Sequence, residues 1–150
     1  MNKNLVFHIP TYTKHNSAFP KPLNDNYGYW VPLINFYLPK SDTIEIHCWN
    51  EEIEIINEIK RFNINKFEMQ DENITIFKGM KFCILSDYLL NKNLDEKGNF
   101  KWFTVNLNYK GEPVFHSGHW GTEFFVTNAK EKDIEIIKSA IPTGTNLYQF

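Results

Sequence analysis

Residues 100 to 127 constrain this chain most. From Trp102 to Tyr109 apolar and polar residues alternate, Lys110-Gly111-Glu112-Pro113 has the composition of a turn, and Val114 to Trp120 is a second strand-forming run. A period of two sends successive side chains to opposite faces. The segment therefore predicts an antiparallel hairpin with one face for a core and the other for solvent or a partner. Glu123 to Thr127 is expected to carry the second strand onward past a glycine bend. An aromatic content of 16% agrees with a fold built on sheet.

Inside this hairpin, Phe115 to Phe125 holds two histidines and a tryptophan among glycines. If fully extended, it places His116, Gly118, Trp120 and Thr122 on one side and Ser117, His119, Gly121 and Glu123 on the other. The two histidines then point apart, unless a bulge or turn at Gly118 or Gly121, where glycine tolerates positive φ, brings them together. A bent strand with half-buried histidines is one reading. The other is an acid–base or metal-ligating group made from His116, His119 and Glu123, although the spacing on a strand lacks the i, i+4 geometry of helical zinc motifs.

Along the rest of the chain, Leu5 to Ile9 reads as a strand and residues 10 to 29 as a long loop anchored by Tyr12, Phe19, Tyr27 and Tyr29. Trp30 to Leu38 is expected to form a strand, joined through the turn Pro39 to Asp42 to a second strand, Thr43 to Trp49. Asn50 is placed to cap a helix over 50 to 62, with Glu51 and Glu52 in its first turn and Ile53, Ile56 and Ile59 on its buried stripe. Ile64 to Met69 and Ile74 to Phe77 read as strands around a turn at Gln70 to Asn73. Met80 to Leu85 extends the second of them, a short helix follows over 86 to 91, and a longer helix spans 130 to 141, capped by Thr127 or Asn128. Leu147, Tyr148 and Phe150 suit an edge strand.

Overlaying Ile34 to Trp49 on Val105 to Trp120 pairs Asn35 with Asn106 and Trp49 with Trp120. This predicts two strand-strand-helix units, 30–62 and 100–141. The fold class expected is α+β, one domain over 1–150, with a mostly antiparallel sheet and two main helices.

A net charge of −2 and a pI of 6.2 provide no basic field for a phosphate backbone, so nucleic acid is not an expected partner. Cys48 and Cys83 lack ligand spacing, which predicts two buried thiols and neither a zinc site nor a disulfide. No segment approaches the ~20 apolar residues of a membrane span, and no leader pattern stands at the N-terminus, so a cytoplasmic location is expected. No GxGxxG, P-loop, GxSxG or HExxH motif occurs, and no cofactor is expected. Ser117 beside His116 and Cys48 beside His47 are strand neighbours, which face opposite ways.

The function expected from these residues is stoichiometric binding of another protein. Glu45, His47, Trp49, His116, His119 and Trp120 are the expected contact residues, with the 10 to 29 loop beside them. Acidic groups at Asp25, Asp42 and Glu45 suit a basic partner, such as the toxin domain that an immunity protein neutralises. The alternative is a small hydrolase-type or metal-dependent enzyme using His116, His119 and Glu123.

Overall fold

A computed structural model describes residues 2–13, 19–69 and 72–150, with residues 67–69 described through their backbone only. The expected α+β class holds: among the described residues, four α-helices accompany one antiparallel sheet of eight strands. The chain runs β1 (Lys3–His8), β2 (Thr11–Thr13), β3 (Pro20–Pro22), α1 (Trp30–Tyr37), β4 (Thr43–Trp49), α2 (Ile53–Lys60), β5 (Asn65–Met69) and β6 (Ile74–Met80). It continues through α3 (Cys83–Asn91), β7 (Thr104–Tyr109), β8 (Glu112–Gly118), β9 (Glu123–Ala129), α4 (Glu131–Ala140) and β10 (Asn146–Gln149). The sheet order is β10-β1-β9-β8-β7-β4-β6-β5, and β2 and β3 form a separate small hairpin.

The alternation in the sequence becomes the division between the two faces. Leu5 and Phe7, Phe124 and Val126, Phe115 and Ser117, Val105 and Leu107, and Ile44, Ile46 and Cys48 point to one side and are buried there. The helices pack on that side. Trp30 of α1, fully buried, lies against Phe100, Trp102, Phe115 and Phe124. Its indole N–H donates to the Leu89 carbonyl of α3 at 2.9 Å. Tyr88 of α3 meets Phe62, just beyond α2, and donates its hydroxyl proton to Glu58 of α2 at 2.7 Å.

The segment Trp30 to Tyr37 is a helix and not the expected strand. Trp30, Leu33, Ile34 and Tyr37 are its buried residues, a helical i, i+3, i+4, i+7 stripe, and Pro32 falls in the first turn, where its missing N–H costs no bond. Strand propensity of the aromatic and β-branched residues lost to the burial of that stripe. The proposed duplication fails with it, because residues 30–62 run helix-strand-helix whereas 100–141 contain three strands before α4.

Several smaller expectations change as well. Glu52, not Asn50, occupies the N-cap of α2, and Lys130 that of α4, its N–H donating to Asp133 at 2.9 Å. Residues 83–85 belong to α3 rather than to a strand, which lengthens the short helix expected over 86 to 91, and α1 is added to the helices expected. Glu123 to Ala129 does not extend β8 but reverses and pairs with it antiparallel. Cys48 is buried, whereas Cys83 is exposed at the start of α3. The tail docks as expected, β10 pairing with β1 at the sheet edge. Residues 14–18 of the 10 to 29 loop and Gln70-Asp71 of the predicted turn lie outside the described residues.

Candidate functional site

The face of the sheet opposite the helices carries the polar half of each alternating strand. Cross-strand pairing aligns Tyr148, Val6, Phe125, His116, Asn106, Glu45, Lys78 and Asn65 in one row that crosses all eight strands. At the centre of this row the side chains bond to one another. Asn106 Nδ2 donates to Glu45 Oε2 at 2.8 Å, and His47 Nε2 lies 2.6 Å from the same oxygen. Because the Asn106 amide thereby points its nitrogen at Glu45, its Oδ1 must accept from His116 Nδ1, 2.6 Å away. The neutral ring then keeps its proton on Nδ1 and a lone pair on Nε2.

Electrostatics supports that state. Burial, reinforced by His47, holds the His116 imidazole below its ordinary value, so it is neutral near pH 7. The bond from His47 holds the Glu45 carboxyl below the usual range against the opposing effect of its burial, aided by Asn106. Lys78 adds a distant ion contact at 3.9 Å.

The turn between β8 and β9 decides where His119 goes. His119, Trp120 and Gly121 have φ of +50°, +54° and +76°, and Thr122 N–H donates to the Gly118 carbonyl at 3.2 Å, so the chain makes one left-handed helical turn. Such φ values are costly for residues with a Cβ. The surroundings impose them. Trp120 N–H donates to the Phe103 carbonyl at 3.1 Å, Tyr29 hydroxyl to the Gly121 carbonyl at 2.5 Å, and Thr122 hydroxyl to the His119 carbonyl at 2.8 Å. Gly121 is needed twice over, since a Cβ there would stand 3.0 Å from the Phe100 ring.

This turn is the device that the glycines allowed for, and it brings His116, which simple alternation would have separated from Glu123, onto the same face as Glu123. His119 Nε2 lies 3.2 Å from Glu123 Oε2, and His8 Nδ1 lies 3.4 Å from Glu123 Oε1. His116 shares the face with Glu123 and senses the charges of Glu123, His119 and His47. Gly118, paired with Glu123, leaves room for the His116 ring: a Cβ there would be 3.0 Å from its Nε2. Among the described residues, no three His, Cys, Asp or Glu side chains converge as a metal-binding set.

The expected contact residues divide accordingly. Glu45, His47 and Trp49 do share the open face, each half-buried. Trp120 does not present itself as Trp49 does. It is 9% exposed, covered by Phe19 at a ring-centroid distance of 4.1 Å, and it shares Phe103 with Trp49 at 4.8 and 5.0 Å. Both tryptophans also bind one carboxylate: Trp49 N–H donates to Glu52 Oε1 at 2.8 Å and Trp120 Nε1 to Oε2 at 3.3 Å. Burial pushes the Glu52 carboxyl up despite these donors. Asp25 is bonded by the Tyr12 hydroxyl and Asp42 by Thr43 and the Lys110 N–H, both outside the Glu45 network.

Asn106, Gly118, Phe103 and Glu52 were not among the expected site residues. A sequence signal existed for one of them: Thr104, Asn106 and Asn108 form the polar half of the β7 alternation. Ser117 and Cys48 point into the core, away from the histidines beside them. No protein-family model matches the chain, and no curated protein or solved structure shows significant similarity to it.

Proposed function

We propose that the chain acts by stoichiometric binding of another protein through the open face of its sheet. The observation that carries this reading is that no helix packs on this face among the described residues. Its centre is a self-bonded polar network, and large apolar side chains stand at one margin. Phe125 and Phe150 approach each other there at 6.3 Å, and Tyr148 and Phe150 are 59% and 65% exposed. Rigid aromatic rings beside an ordered polar surface suit an interface, because little conformational freedom remains to be lost on docking. Phe19, which covers Trp120 and is 37% exposed, extends the surface into the 10 to 29 segment. A basic partner, as in neutralisation of a toxin by an immunity protein, is the form this reading takes, given the carboxylates Glu45 and Glu123 on the face.

The test is affinity capture from the native host with wild type, with Phe125→Asp on the open face, and with Lys132→Glu on exposed α4 as control, all shown folded by circular dichroism. A partner recovered at one-to-one stoichiometry with wild type and control, and lost with Phe125→Asp, is the expected result. Equal recovery with all three, or none with wild type, would reject the surface.

An enzyme using His116, His119 and Glu123 is a second reading with one observation in its favour, the lone pair left on His116 Nε2 beside an imidazole–carboxylate pair. It predicts that His116→Ala and His119→Ala abolish a hydrolytic activity found by screening. Absence of activity in the wild type, with a partner captured as above, would decide for binding.

A further inference from the structure

The two carboxylates of the open face differ in what remains free on them. Glu45 Oε2 already receives both Asn106 and His47, and its Oε1 faces Lys78. Among the described residues, the ion contacts of Glu123 are with two imidazoles, at 3.4 and 3.2 Å, and it is 38% exposed beside His8 at 42% and His119 at 61%. Each Glu123 oxygen meets a single ring nitrogen, His8 at Oε1 and His119 at Oε2, which leaves acceptor positions on both for a further donor. The Nε2 lone pair of His116 lies over Gly118, the residue paired with Glu123, and has no partner among the described residues. Glu123 and His116 thus present acceptors of hydrogen bonds side by side.

We infer that Glu123, together with Nε2 of His116 and flanked by His8 and His119, receives an arginine side chain of the protein partner. This deepens the protein-binding reading and rests on it. A guanidinium is planar, stays charged and carries five N–H donors in a fixed fork, which suits a carboxylate and a neighbouring nitrogen acceptor better than the point charge of lysine does. Among the described residues, the other titratable and charged groups on this face are Glu45 and His47 on β4 and Lys78 on β6; β7 and β10 contain no charged residue. Protonation of His116 removes its Nε2 acceptor. Burial holds that imidazole below its ordinary value, so binding of the cation weakens only on the acidic side of that value.

The experiment titrates N-acetyl-arginine methylamide into the 15N-labelled protein and follows the imidazole nitrogens, with the neutral isostere N-acetyl-citrulline methylamide as control. Saturable shifts at His116 and His119 are expected with the arginine compound alone. Affinity should fall about tenfold in Glu123→Gln, whereas Glu45→Gln should leave the Glu123 contact in place. Equal shifts with citrulline, shifts retained in Glu123→Gln, or no saturable shift would overturn the assignment. A captured partner that binds wild type and Glu123→Gln equally would defeat this inference and leave the docking surface standing. Loss of capture in Phe125→Asp but not in Glu123→Gln would do the same.

Discussion

The two faces of the sheet are made by the same strands, one residue apart, and they are held in different ways. On the covered face Trp30, Phe115, Phe124 and their neighbours fit together by shape, with almost no hydrogen bonding between side chains. On the open face His116, Asn106, Glu45 and His47 are half-buried and held by directed bonds of 2.6 to 2.8 Å. Packing of the first kind stabilises the fold. Bonding of the second kind contributes less, because each bond replaces one to water, but it fixes ring orientation and tautomer. The difference teaches that an ordered polar surface can be maintained without a cover if its groups satisfy one another.

Removing the centre of the covered face should have the largest effect. Trp30→Ala deletes a fully buried indole with contacts to several rings, and an expected loss of ~3–5 kcal/mol should appear in chemical denaturation. On the open face, Asn106→Ala leaves the His116 Nδ1–H and one Glu45 oxygen without their shared partner, and a loss of about 1–2 kcal/mol is expected. Imidazole nitrogen spectra of the same variant should show mixed His116 tautomers. A loss as large as that of Trp30→Ala would break the contrast between the faces.

His119→Gly should instead stabilise, by ~0.5–1 kcal/mol in thermal or chemical denaturation, because glycine adopts a φ of +50° without a Cβ penalty. The smallest effect is that of pH. His116 is held below its ordinary value, so the unfolded chain binds protons first: the stabilising contribution is complete above about 6.5 and declines as pH falls below it. His116→Asn, which does not titrate there, should flatten that part of the stability curve.

Strands whose polar and apolar residues alternate were legible in the sequence, and so were α2 and α4, whose isoleucine stripes have no competing period. Trp30 to Tyr37 was not, because Trp, Val, Ile, Phe and Tyr all favour strands and a stripe of Trp30, Leu33, Ile34 and Tyr37 gains its energy only against Phe115, Phe124 and the other core rings. Of the site, Glu45, His47 and Trp49 followed from parity alone. His116 with His119 and Glu123 depended on knowing whether the glycines bent the strand or reversed it.

By itself, then, the alternation determined that one face of the strands would be apolar and the other polar, because side-chain direction along a strand is a local property of the backbone. Only the tertiary structure decided that β9 turns back beside β8 and sets Glu123 between His8 and His119. That outcome rests on contacts of Trp120 with Phe103 and Phe19, and of Gly121 with Tyr29, partners from distant parts of the chain that together hold a left-handed turn no local preference would select.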